Sequence, residues 1–244
     1  MMIRVLGLLL CAIVAFAQPP MLLLGAGGAS AGGGGGIAIK GTPACATSSN
    51  GNSVTLTGYD GTGANFIALA ISDFGNSPVN TDISSSPSEP SWTCIGALNT
   101  SMNLCYAKNV SNGTTGMSFT FTHSGSFPAI CALAASNVNT TTPQDGTQQA
   151  TATPGLGGST CNGSPCTAGS ISPAGTDLFI FMSNGDNGTM ASYALGSTFN
   201  YVKQAANPSN GYSNFLGYKL SSSSENPQLT NSGNPDVSLN AFKQ

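Results

Sequence analysis

The chain has 244 residues, of which only 6% are charged against roughly 25% in an average soluble domain, while Gly supplies 32 positions and Pro 14. Six Lys plus Arg against nine Asp plus Glu leave a net charge of -3, so there is no basic surface to neutralise phosphates and nucleic acid is excluded as a partner. One His and seven Cys restrict imidazole and metal chemistry as well.

In chain order, the first element is a leader. Arg4 is a short basic segment, Val5 to Phe16 is an apolar run, and Ala15-Phe16-Ala17 places small residues at the two positions a signal peptidase reads. Cleavage is expected after Ala17, with 1–17 as the signal peptide, and loss of Arg4 takes the net charge from -3 to -4. Ala29-Ser30-Ala31 is a second candidate, but Pro19-Pro20 interrupts the apolar region it would need. Without the leader no membrane span is expected, and the protein is expected to be secreted or held at the cell surface. Residues 18–40 are Pro, Leu, Gly and Ala without periodicity, which reads as a flexible tether because Gly loses the most freedom on ordering. Within it Gly28-Ala29-Ser30-Ala31-Gly32 matches a hydrolase nucleophile turn, yet neither the strand before nor the helix after is present in the pattern.

From Gly41 to Gln244 the pattern is of strands in one β-sandwich domain. Ser53 to Thr57 alternates apolar and hydroxyl side chains, as does Met117 to Thr122. Ala64 to Ser72, Pro128 to Ala135 and Leu178 to Met182 are apolar on both faces and should be covered on both. Further strands are expected at Ser91 to Gly96, Met102 to Lys108, Ser170 to Ser172, Thr198 to Lys203, Asn214 to Leu220 and Val237 to Phe242. Gly-Asn, Asn-Gly, Asp-Gly and Ser-Pro clusters punctuate them, and no window carries a helical apolar stripe with caps. The expected fold is therefore all-β: an antiparallel two-sheet sandwich with little helix. Ser53 to Gly75 and Gly169 to Gly185 share an order of short strand, Gly-rich turn and apolar strand, which we read as convergence on one easy solution and not as duplication.

Removing Cys11 with the leader leaves six of the seven cysteines, an even number in a chain routed to an oxidising compartment. Cys94 and Cys105 are equidistant from the Asn99-Thr100 midpoint of a hairpin, which predicts a bridge. Cys161 and Cys166 enclose a turn-forming Asn-Gly-Ser-Pro and should form a second. Cys45 and Cys131 either pair or leave Cys131 as a buried thiol. With no C-x-x-C pair and a single His, neither a metal nor a cofactor is expected.

Catalysis finds little footing. His123 ends a strand beside Ser124 and reads as a turn residue, and Glu89 and Glu225 each sit just before a Pro in a Ser-rich loop. No catalytic residue is assigned. Binding is the better class, because aromatic rings stack on sugar faces while Asn and Asp bond hydroxyls. The candidate ligand-binding residues are Trp92, Tyr59, Tyr193, Asn184, Asp186 and Asn187. Trp92 also fits a core position, and the run Asn184 to Gly188 fits either Ca²⁺ ligation or a plain hairpin loop. The long stretch Asn139 to Ala168 is the expected contact surface.

Gly63-Ala64-Asn65-Phe66-Ile67-Ala68-Leu69-Ala70, Trp92-Thr93, Cys105-Tyr106-Ala107, Ala132 to Val138 followed by Asp145-Gly146, Thr176 to Ile180, and Asn240-Ala241-Phe242-Lys243 together resemble bacterial secreted or surface modules of the concanavalin-like, jelly-roll type. The resemblance implies a jelly-roll sandwich with a lectin-like or adhesive role and carries over no catalytic residue. The expectation is thus a secreted or surface module with a structural or adhesive role. A carbohydrate-binding module and, behind it, a carbohydrate-active hydrolase or lyase are the alternatives. Its partner would be a glycan or another surface protein.

Overall fold

The structure is a computed structural model, and it describes residues 35–244 apart from 50, 75–77, 90, 96–100, 111–112, 152–165, 187–193, 196–197, 208–211 and 231–233. The leader, most of the tether, Cys161, Asn187 and Tyr193 lie outside the described residues.

The first eight strands are β1 (Ala38–Thr47), β2 (Ser53–Tyr59), β3 (Phe66–Phe74), β4 (Ile83–Ser86), β5 (Thr93–Cys94), β6 (Met102–Lys108), β7 (Met117–Thr122) and β8 (Ser126–Ser136). The next eight are β9 (Gln144–Thr151), β10 (Cys166–Thr167), β11 (Asp177–Asp186), β12 (Ala194–Leu195), β13 (Asn200–Asn207), β14 (Tyr212–Ser221), β15 (Gln228–Thr230) and β16 (Asn234–Phe242). One 3-10 turn, Asn80–Asp82, is the only helical element among the described residues. The antiparallel all-β reading holds. Residues 38–40, read from sequence as the end of a tether, belong to β1, and Ile37 is already buried.

Four sheets are present rather than two. In the first half β2-β7-β4 forms an outer sheet and β1-β8-β3-β6-β5 an inner one. In the second half β9 to β16 repeat this at an offset of eight strands: β10-β15-β12 is the outer sheet and β13-β14-β11-β16-β9 the inner. Every pairing recurs. One irregularity recurs as well: the ladder slips between Lys40 and Ala44 opposite β8, and again between Leu239 and Ala241 opposite β9. Each slip holds a left-handed glycine, Gly41 at φ +63 and Gly146 at φ +70. At Gly41 a Cβ would sit 1.9 Å from the Asp60 carbonyl oxygen, so the bulge admits no side chain there. Of the echo between Ser53 to Gly75 and Gly169 to Gly185, read from sequence as convergence, only the apolar strands β3 and β11 correspond in this repeat of strand order. The counterpart of β2 is β10, before Gly169, and the strand expected at Ser170 to Ser172 is an isolated bridge from Ile171 to Glu225.

Three apolar layers separate the four sheets. Ile67, Leu69 and Ile71 of β3 face Val54, Leu56, Phe119 and Phe121 of the first outer sheet. Their neighbours Phe66, Ala68 and Ala70 face the other way, onto Leu178, Ile180 and Met182 of β11 and Leu216 of β14. Phe179 and Phe181 of β11 then pack with Phe215, Leu229 and Leu239 in the third layer. This explains the strands that are apolar on both faces: β3, β8 and β11 lie in inner sheets with a layer on each side. Each fully buried Phe or Leu contributes on the order of 2 kcal/mol, so the middle layer binds the halves as firmly as a domain core. The halves meet through β1 and β8 against β13, β8 and β3 against β14, and β6 against β11. At one rim the contact becomes polar. Asn184 donates to the Ser101 carbonyl at 3.0 Å, Asn214 donates to the Ala70 carbonyl at 3.2 Å, and the Ser101 hydroxyl donates to Asp236 at 2.9 Å.

Candidate functional site

The residues singled out from the sequence do not converge. Trp92 is 9% exposed and lies edge-on to Phe119 with ring centroids 6.1 Å apart, so it belongs to the first core and not to a binding surface. Tyr59 is buried in the same layer at 5.6 Å from Phe119, its hydroxyl accepting the Ala134 N–H at 2.9 Å, and burial pushes the phenol well above its usual range. Asn184 is an inner-sheet residue spent on Ser101, not a loop ligand. Asp186 ends β11 opposite Asn234. For Trp92 the core position that the sequence left open is the one occupied, and Tyr59, which closes β2, is buried beside it.

The cysteines are accounted for more fully. Cys94 pairs with Cys105 and Cys45 with Cys131, each across neighbouring antiparallel strands. The alternative of a free Cys131 thiol is thereby set aside. Cys166 is disulfide-bonded, while its expected partner Cys161 lies outside the described residues.

Three polar clusters were not foreseen. His123 reaches Asp73 at 2.5 Å through Nδ1 and Asp82 at 3.7 Å through Nε2, with its ring stacked on Phe121. The Gly125 N–H donates to the same Asp73 oxygen at 3.0 Å, so the histidine closes a strand end rather than opening onto solvent. Asp177 is fully buried at the start of β11, and neither of its oxygens lies in a well-formed hydrogen bond. Burial, and then the neighbouring Asp145 carboxylate, push Asp177 up to about 7. Asp145 is held low by the Ala174 N–H, which it accepts at 2.7 Å. Glu225 accepts from Lys219 at 2.6 Å and from Ser221 at 2.7 Å. Glu89 is buried with both oxygens unpartnered, and burial raises it. The signal for Asp177 was legible: a carboxyl directly before an apolar run has no outward face to use.

Two cavities face solvent beside these elements. One, of about 300 Å³, lies along the Gly41 bulge between Thr42, Leu56, Thr57, Gly58 and Asp60. The other, of about 380 Å³, is lined by Ile39, Thr198, Asn200, Tyr218, Lys219 and Leu220, where the edge strands β1 and β13 of the two inner sheets approach. Neither is lined by Asp177, Glu89, Glu225 or His123. Each has one aromatic ring in its lining, Tyr59 in the first and Tyr218 in the second, and the Tyr59 hydroxyl is engaged by the Ala134 N–H.

No family model, curated protein or solved structure matches this chain. Functional argument rests on the geometry itself.

Proposed function

We propose that the chain is an exported, non-catalytic β-sandwich module with a structural or adhesive role, composed of two jelly rolls of the concanavalin-like kind. The jelly-roll reading is supported by nested antiparallel pairing: β1 with β8, β2 with β7 and β3 with β6, and again β9 with β16, β10 with β15 and β11 with β14. A long hairpin rolled up on itself gives this order, and only its innermost step differs, β5 joining β6 rather than β4. The observation that carries the functional reading is where the reactive groups went. Disulfides take the cysteines among the described residues, Asp73 takes His123, Lys219 takes Glu225, and Asp177 has no access to solvent. Disulfide bonding supports export to an oxidising compartment, with the 1–17 leader removed after Ala17.

The test is direct. Purified protein should coat cells or matrix without turning over polysaccharide. Turnover that disappears on Glu89→Gln or Glu225→Gln would replace this reading with the hydrolase or lyase one. A second reading, glycan binding, is favoured by one observation, the open cavity beside Tyr218.

A further inference from the structure

The repeat provides a ruler for packing, because residues paired in the inner-sheet ladders of one half have counterparts in those of the other. The bulges fix the correspondence: Lys40 opposite Ala134 matches Asp145 opposite Ala241, so Ala135 corresponds to Phe242. Across the ladders Phe66 faces Ala135 and Leu178 faces Phe242, which makes Phe66 and Leu178 counterparts. By the same registers Tyr106 corresponds to Tyr218, and Thr93 to Asn200.

At one end of the middle layer the three rings are all present. Tyr106 stacks on Phe66 at 5.6 Å and stands edge-on to Phe242 at 5.6 Å, while Phe66 and Phe242 are 4.8 Å apart. At the other end the tyrosine is kept, but Leu178 stands for Phe66 and Ala135 for Phe242. Two phenyl groups' worth of filling has been reduced to an isobutyl and a methyl. The open cavity lies there: Ile39 of its lining is directly opposite Ala135 in the ladder, and Leu220 is directly opposite Leu178. The cavity thus borders the two positions at which the rings of one end are replaced at the other, Ala135 and Leu178, both fully buried.

We infer that this cavity is a binding site for one neutral saccharide ring, an inference that rests on the glycan-binding reading above. A sugar has an apolar C–H face and an equatorial belt of hydroxyls. Tyr218 offers a ring for the first, Asn200 and Thr198 offer an amide and a hydroxyl for the second, and Ile39 and Leu220 form an apolar rim. The size is at the small end for ligand pockets and suits one ring rather than a chain. Charge argues for a neutral ligand: no carboxylate lines the cavity, and the Lys219 ammonium is held by Glu225 at 2.6 Å. The cavity at Gly41 lacks these features, since its tyrosine is buried and engaged.

The experiment is amide chemical-shift mapping of the full chain with the methyl glycosides of glucose, galactose, mannose and N-acetylglucosamine, and with cyclohexanol as an apolar ring of similar size. At least one glycoside should give saturable shifts at Ile39, Asn200, Tyr218 and Leu220. Ala135→Phe, which restores the ring present at the other end, should weaken that binding at least about tenfold. Should Ala135→Phe fail to fold, Asn200→Ala alters an exposed side chain and should cause a comparable loss. Glycoside shifts clustered elsewhere would remove this site and leave glycan binding standing. No shift with any glycoside would remove both. Cyclohexanol binding as tightly as the best glycoside would overturn the saccharide assignment.

Discussion

Asp177 occupies the position at which the first half carries Asn65, and the exchange of one atom type has a measurable price. Asn65 is satisfied, donating to the Val138 carbonyl at 2.8 Å and accepting the Val138 N–H at 3.2 Å, whereas Asp177 has no such partners. Its native pKa of about 7 exceeds the ordinary 3.8, so the folded state holds a proton that the unfolded state has released. The stabilisation from that proton is fully present below about pH 4, declines as pH rises towards about 7, and is gone above it. Asp177→Asn should flatten this slope and raise the urea midpoint at about pH 8 more than at about pH 5. An unchanged pH profile in the variant would show that Asp177 does not titrate as described. Trp92 makes a second case. As a core ring against Phe119, its replacement by Ala should cost about 3–5 kcal/mol, read as a lowered urea midpoint, while adhesion or glycan binding measured on the remaining folded protein is retained.

At the scale of elements, the two described bridges guard the two edges of one sheet. Cys45–Cys131 ties edge strand β1 to β8, and Cys94–Cys105 ties edge strand β5 to β6. Edge strands expose unpaired backbone groups, and β5 is only two residues long, so a covalent tie stands in for ladder length. The bridges close loops of very different size, 86 against 11 residues of separation. Replacing Cys45 and Cys131 by Ala should therefore lower the urea midpoint more than replacing Cys94 and Cys105, and equal losses would contradict the loop-closure account. Elements also show how far the sequence could be read. Met117 to Thr122 and Met102 to Lys108 were delimited correctly, because a one-sided strand alternates and a two-sided one is continuously apolar. Strands β1, β4, β9, β10, β12 and β15 were missed. They are short or lie at sheet edges and in outer sheets, and Gln144 to Thr151 carries almost no apolar residue to set a period. The Tyr218 cavity was beyond reach for a different reason, since it depends on what Ala135 and Leu178 lack relative to residues about 110 positions away.

For the whole molecule, the middle layer makes the halves interdependent. Phe66, Leu133 and Met102 of one half and Leu178, Met182 and Leu216 of the other share one buried layer. Unfolding either half would expose that layer entirely, so the two should unfold in one transition. The single tryptophan, Trp92, sits in the first half, whereas far-ultraviolet circular dichroism reports both. Urea curves from the two probes should coincide. A fluorescence midpoint displaced from the dichroism midpoint would mean that the halves unfold independently. The doubling itself was only faintly visible in sequence because strand order is preserved by spacing and register, which tolerate nearly complete replacement of side chains.

The position of β16 has a consequence in time. Of the sixteen strands it is synthesised after the other fifteen, yet it lies inside its sheet, between β11 and β9. Until it arrives β9 has no neighbour there, β11 has one side unpaired, and the finished first half shows water the face formed by Phe66, Ala68, Leu104 and Leu133. An emerging polypeptide therefore passes through a stage in which half a protein displays a sticky wall. The arrival of β16, and not the completion of the first eight strands, sets the clock for folding.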